Sequence, residues 1–306
     1  MNWSGLGDAA PILMLIALGI VLRLAGVVNE AGGLVLTRLA YYVTIPAAIF
    51  YSIANAQLGG SAVVLALIGL LLPIALSAIA YLATRDLAEQ PGLRGVMVAG
   101  TVVLGVFGYA FLELFYGQEG LVRVALYDVG NAIFAGTVSL WLAQRISPRH
   151  GERTGPPAWR RMATSPVMWA AALGVAFSVL RVPVRGALDG FLLRLVRANT
   201  PLAMVAVGIF VRPRKGYGAL IARHLALRTL LGGLLAWGLG AALGLGGLDM
   251  IVLCASATLP IGTTILVYAG NEGLDAEFAA TLVSVSVLIG AVVINVLPPL
   301  MALFYL

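Results

Sequence analysis

Thr258-Leu259-Pro260-Ile261-Gly262-Thr263-Thr264 sits in the middle of an apolar run that extends from residue 248 to residue 270. A run of about 20 apolar residues has the length of a membrane-spanning helix. Proline inside a helix removes a backbone donor and clashes with the preceding turn. Glycine there costs about 1 kcal/mol relative to alanine. The heptapeptide therefore reads as a place where a spanning helix opens in the membrane core. Opening frees amides at the start of the second half, which attract anions. It also frees carbonyls at the end of the first half, which hold a cation or a proton-bearing group.

The rest of the chain points to a bilayer as its solvent. Of 306 residues, 61% are hydrophobic and 10% charged, against about 25% charged in a soluble domain. Mean hydropathy is +1.00. Ten apolar segments of spanning size follow one another: 11–28, 34–54, 61–84, 93–116 and 121–146, then 165–182, 186–211, 219–243, 248–270 and 276–303. The first has no basic residue before it and no clear small-residue cleavage site after it, so it reads as a membrane helix rather than a signal peptide.

The net charge of +6 does not indicate a nucleic-acid partner, because the basic residues cluster in the loops, as the positive-inside rule requires. With the amino terminus outside, Arg23, Arg85, Arg94, Arg145, Arg149, Arg153, Arg160, Arg161, Arg212, Arg214 and Lys215 fall on the cytoplasmic side. Arg123, Arg181 and Arg185 fall on the other. The expectation is a multi-pass protein of the cell inner membrane with both termini on the non-cytoplasmic side. Cys254 has no partner for an intrachain disulfide, and His150 and His224 lack zinc-site spacing. No His, Asp or Glu cluster suggests a metal or nucleophile site, so neither a cofactor nor an enzymatic activity is expected.

The polar stretch 147–164, rich in arginine and proline, divides the segments five and five. The halves, 1–146 and 165–306, match in sequence and together form one transport domain. Pro11 and Gly19 correspond to Pro166 and Gly174, and Pro46 corresponds to Pro201, each pair 155 apart. Gly117-Gln118-Glu119-Gly120-Leu121 corresponds to Gly270-Asn271-Glu272-Gly273-Leu274, 153 apart. Five is odd, so the second copy enters the membrane from the opposite side, as in the inverted repeats of secondary transporters. Adding 155 to Gly105 gives Pro260. The fourth segment, with Gly100, Gly105 and Gly108, is thus weakened at the same depth as the ninth.

The expected substrate-binding residues are Gly105, Gly108 and Tyr109 of the fourth segment, Thr258, Pro260, Gly262, Thr263 and Thr264 of the ninth, and Asn131 of the fifth. Threonine hydroxyls also bond back to their own helix, and tyrosine is a common packing residue. Asp128 shares a helix face with Asn131. A carboxylate near the bilayer centre costs about 2.5–3.5 kcal/mol, which makes Asp128 the expected carrier of a coupling proton or cation. A pairing with Arg123 near the outer interface is the alternative. Glu113 reads as interfacial, and Asn295 as bonded to a neighbouring helix. Arg38, Arg223 and Arg228 read as snorkelling from helix ends.

Several stretches resemble the auxin efflux carrier family, whose bacterial members include malonate and malate carriers. Leu36-Thr37-Arg38-Leu39-Ala40-Tyr41-Tyr42-Val43-Thr44-Ile45-Pro46-Ala47-Ala48-Ile49-Phe50 resembles the family's second helix. Ser165-Pro166-Val167 through Gly174 resembles the start of its sixth, and Asn199-Thr200-Pro201-Leu202-Ala203 its seventh. Thr258-Leu259-Pro260 and Ala269-Gly270-Asn271 resemble its ninth. The resemblance implies an all-α integral membrane protein of ten transmembrane helices in two inverted five-helix repeats, with helices 4 and 9 broken and crossing at the midplane. It implies transport of organic carboxylates, so a small organic anion is the expected transported partner; coupling to H+, to Na+ or to the membrane potential, and a homodimer, are further expectations. A sodium-coupled carrier of the bile-acid symporter kind and a non-transporting membrane sensor are the alternatives. Family members carry an asparagine and a proline in helix 4. Those positions are Val103 and Ala110 in this chain, so its helix 4 is expected to open at glycines.

Overall fold

The computed structural model describes residues 5–55, 60–103, 105–149, 163–164, 166–211 and 216–305. Ser165, Arg153, Arg160, Arg161, Arg212, Arg214 and Lys215 lie outside them. Helices carry the described chain. Helix α1 is Gly5–Leu24. Helix α2 begins as Glu30–Leu39, passes a π-helical turn at Ala40–Thr44 and continues as Ile45–Ala54. Helix α3 is Gly60–Ala83. Helix α4 comes in two halves, Pro91–Ala99 and 105–116. The chain then reverses at Gly117, whose φ of 59° and ψ of −148° suit glycine. Helix α5 follows to Ile146, with a π-helical turn at Ala135–Ser139.

In the second half, α6 is Pro166–Val179 and α7 is Gly186–Phe210. Helix α8 is Gly218–Ala242, with a π-helical turn at Ala226–Leu231. Helix α9 is again in two halves, Gly247–Ala257 and Thr264–Glu272. Helix α10 is Ala276–Tyr305. The sequence boundaries hold to within a few residues. The main departures are α1, which starts six residues early at Gly5 and ends four early at Leu24, α2, which starts four residues early at Glu30, and α6, which stops at Val179 ahead of the left-handed Arg181 (φ 54°).

Among the described residues, five helices are long and apolar enough to cross a membrane: Gly60–Ala83, Phe111–Ile146, Gly186–Phe210, Gly218–Ala242 and Ala276–Tyr305. Shorter apolar helices accompany them, including Leu13–Leu24 and Met168–Val179. Large apolar side chains stay exposed around the molecule, among them Leu71, Trp141, Leu173, Leu234 and Val292. A soluble monomer rarely leaves such surface uncovered; lipid covers it in a multi-pass membrane protein.

Small residues let the helix backbones touch. A Cβ at Gly69 of α3 would fall 2.0 Å from the Tyr127 carbonyl of α5, and one at Gly130 2.0 Å from the Ala66 carbonyl. A Cβ at Gly19 of α1 would meet Val205 O at 2.2 Å and Gly208 Cα at 2.9 Å in α7. A Cβ at Gly174 of α6 would meet Phe50 O at 3.3 Å and Ile53 Cβ at 2.9 Å in α2. Subtracting 155 from Gly174, Val205 and Gly208 gives Gly19, Phe50 and Ile53. The two helix pairs therefore make corresponding contacts. Thr44 Oγ1 of α2 donates to Asn199 Oδ1 of α7 at 2.9 Å, and these residues are also 155 apart.

Candidate functional site

The breaks in α4 and α9 meet. Val103 and Ile261 form an isolated antiparallel bridge, and the Gly262 amide donates to the Val102 carbonyl at 2.8 Å. A Cβ at Gly262 would lie 2.9 Å from the Val103 carbonyl oxygen, so the crossing requires glycine at that position. Gly290 of α10 makes room for the Pro260 ring, whose Cγ lies 2.4 Å from where its Cβ would be.

Backbone groups freed in a buried break must find partners, and neighbouring helices supply them. The Val98, Ala99 and Gly100 carbonyls, which end the first half of α4, are met by Ser77 Oγ of α3 at 2.9 Å, Ser139 Oγ of α5 at 2.8 Å and His224 Nε2 of α8 at 3.3 Å. Asn131 of α5 holds Val103 at both ends. Its Oδ1 accepts from the Val103 amide at 3.1 Å, and its Nδ2 donates to the Val103 carbonyl at 3.3 Å. The other Nδ2 hydrogen goes to Asp128 Oδ1 at 2.7 Å. One orientation of the amide satisfies all three contacts, so the network itself fixes it. Tyr109 donates its hydroxyl to Asp128 Oδ2. On the other side, Ser286 of α10 accepts from the Ile261 amide at 3.1 Å and donates to the Val283 carbonyl at 2.8 Å. Asn131 and Ser286 are 155 apart and each steadies the break of the preceding helix.

The structure thus brings Tyr109, Asp128, Asn131 and the Val103–Ile261 bridge together. Gly105 opens the second half of α4. Gly108 packs against Leu259, whose Cδ1 would lie 2.4 Å from a Cβ there. Thr258 bonds the Cys254 and Ala255 carbonyls of its own helix at 3.2 and 2.9 Å. Thr263 and Thr264 are half-buried at the start of the second half of α9. Thr263 lines a mostly apolar cavity with Tyr41, Ala206, Phe210, Ser284 and Val287. Arg123, the alternative partner of Asp128, instead pairs with Asp249 of α9 and Glu119. Glu113 is half-buried, and Asn295 bonds the Ala291 carbonyl of its own helix at 2.6 Å rather than a neighbouring one. Among the described residues no three His, Cys, Asp or Glu side chains converge as a metal site would require.

Ser77, Ser139 and Ser286 escaped the reading of the sequence, and Arg228 was given the wrong role. Ser286 was reachable by adding 155 to Asn131. Arg228 was expected to snorkel, yet it is 1% exposed, and its Nε and Nη2 have no hydrogen-bond partner. Its place, eleventh of the 25 residues in Gly218–Ala242, was the available signal, because a snorkelling side chain belongs near a helix end. Arg223, by contrast, does reach outward and pairs with Asp86 at 2.8 Å.

Comparison with known proteins agrees with this architecture. The chain is 30% identical over 292 residues to a protein of Methanothermobacter thermautotrophicus named as an uncharacterized transporter, with 92% of this chain and 93% of that protein covered. It is 24% identical over 293 residues to the uncharacterized transporter YfdV of Escherichia coli K12, with the same coverage. The family model described as membrane transport protein matches residues 5–298. With nearly the whole chain covered, the protein belongs to the membrane transport protein family, the auxin efflux carrier family that its sequence resembles.

Proposed function

We propose that the protein is a secondary transporter that moves a small organic anion, a carboxylate, across the inner membrane by alternating access. The observation that carries this reading is the crossing: two interrupted helices joined through Val102–Gly262 and Val103–Ile261. Crossed half-helices place anion-attracting amide ends and cation-attracting carbonyl ends together at one depth. The corresponding contacts of Gly19 with α7 and of Gly174 with α2 support ten spans in two inverted five-helix repeats, 1–146 and 165–306, joined by a cytoplasmic linker at 147–164. Both termini then lie on the non-cytoplasmic side.

The substrate anion is assigned to the crossing as a whole, near Gly105, Gly108, Pro260, Gly262, Thr263 and Thr264. Asp128 is assigned the coupling proton or cation. Its two oxygens each accept a hydrogen bond, from Tyr109 and from Asn131. A proton on Oδ2 lets the bond to Tyr109 reverse, since a hydroxyl both donates and accepts, whereas a proton on Oδ1 aimed at the Asn131 Nδ2, which can only donate, displaces it. If Asn131 is displaced, its grip on Val103 loosens. Proton uptake at Asp128 thereby reaches the break in α4. Uptake of radiolabelled malonate, malate and acetate into proteoliposomes, with and without a pH gradient and with sodium varied, tests the reading. Gradient-driven uptake that Asp128→Asn abolishes, with exchange intact, supports both assignments. Absence of carboxylate flux sinks the transport reading. Unchanged gradient-driven uptake in the variant removes Asp128 alone.

A further inference from the structure

We propose that Arg228 is the residue that binds the carboxylate of the transported anion, through the fork formed by its Nε and Nη2. This rests on the anion-carrier reading above and names its anchor. Arg228 lies within α8, inside the π-helical turn Ala226–Leu231, and is 1% exposed. A guanidinium cannot shed its charge by losing a proton at ordinary pH, and a buried unpaired charge is among the least favourable states a protein can hold. Intramembrane ionisable residues mark substrate paths more often than they serve packing.

The location is the crossing itself. His224, Arg228 and Gly232 succeed one another at four-residue steps and share a face of α8. His224 Nε2 reaches the Gly100 carbonyl at 3.3 Å. A Cβ on Gly232 would lie 3.6 Å from the Ala257 carbonyl oxygen. Arg228 therefore sits between the ends of the first halves of α4 and α9, with Tyr127 of α5 as its electrostatic neighbour. The negative ends of those two half-helices make a buried cation tolerable there.

The unpartnered atoms specify the ligand. Nε and Nη2 are the two nitrogens whose N–H bonds run parallel along one edge of the guanidinium, and neither has a hydrogen-bond partner. That edge matches the two oxygens of a carboxylate in a bidentate pair. Lysine offers the same charge as a point, without the fork.

Thermal unfolding of the purified full-length protein, titrated with malonate, malate and acetate and with malonamide as the neutral control, tests the assignment alongside proteoliposome flux. Expected for the wild type is stabilisation by a carboxylate and none by malonamide. Arg228→Lys should unfold at nearly the same temperature and bind at least ten-fold more weakly. Arg228→Met should be as stable as the wild type or more so without ligand, and should lose the carboxylate response. A wild type that no carboxylate stabilises and that carries no carboxylate flux overturns the carrier reading and this assignment with it. Wild-type carboxylate binding retained in Arg228→Lys overturns the fork alone. Retained binding with a marked loss of stability in Arg228→Met makes Arg228 a packing residue. An Arg228→Met variant that becomes dependent on sodium makes it a resident cation in place of a coupling ion, which also overturns the proposal.

Discussion

Replacing Asn131 by alanine strips three hydrogen bonds from the crossing in one step. The Val103 amide and carbonyl both lose their side-chain partner, and Asp128 keeps only Tyr109. Asn131 and Val103 are 3% and 5% exposed, so bulk water does not replace what is lost. A buried polar group left unpaired costs about 1–3 kcal/mol. Two such backbone groups give roughly 2–6 kcal/mol, the lower end applying if a water molecule enters the space left by the side chain. Ser286→Ala provides the internal scale. It removes one acceptor from one buried amide, that of Ile261, and should cost about 1–3 kcal/mol. Denaturant titration of both variants in one detergent measures the difference. Asn131→Ala should lose about twice as much as Ser286→Ala, and carboxylate flux should fall more in the former. Equal losses in the two would falsify the claim that Asn131 holds the α4 break, because the difference rests on counting freed groups.

Other outcomes follow from the same geometry. Gly262→Ala should weaken the crossing by about 1–3 kcal/mol as an overpacked contact, since the new methyl lies 2.9 Å from the Val103 oxygen; wild-type stability would show that the crossing breathes freely. Gly69→Ala drives a methyl to 2.0 Å from the Tyr127 carbonyl and should leave little folded protein on a sizing column, whereas Gly238→Ala, with nothing within 4 Å, should be neutral or raise stability by up to about 1 kcal/mol. Tyr109→Phe deletes one bond to Asp128 and should shift the pH at which gradient-driven uptake falls off; an unchanged profile detaches Asp128 from coupling. At the exposed loop before α4, the hydrogen bond from Arg223 holds the Asp86 carboxyl below its ordinary range. Its small contribution to stability is therefore present above the unfolded-state carboxylate pKa of about 4 and disappears as pH falls through the lower folded value. Asp86→Asn should differ from the wild type near neutral pH and match it once both carboxyl states are protonated.

The helices and the two breaks were readable from the chain because bilayer solvent imposes a simple code: about 20 apolar residues for a span and glycine or proline where a span fails. The spacing of 155 was readable for the same reason, since Pro46 and Pro201 or Gly19 and Gly174 recur where the same backbone geometry recurs. What the breaks bond to was not readable. Thr258 turned to its own helix while Ser286, from the tenth segment, caps Ile261. Any hydroxyl within reach satisfies an amide, and reach is a matter of helix packing rather than of composition.

The sequence by itself determined a membrane protein of apolar helices, weakened at Gly105 and Pro260 and carrying Asp128 and Asn131 on one helix face. Only the tertiary structure decided that the two weak points touch, that Asp128 binds Tyr109 and Asn131 rather than Arg123, and that Arg228 is buried without a partner. Helix formation and hydrophobic length are local properties, written within some 20 residues. The pairing of a carboxylate or a guanidinium is a long-range choice among all groups that packing brings near it, and in a low-dielectric interior that choice decides whether a charge is structural or functional.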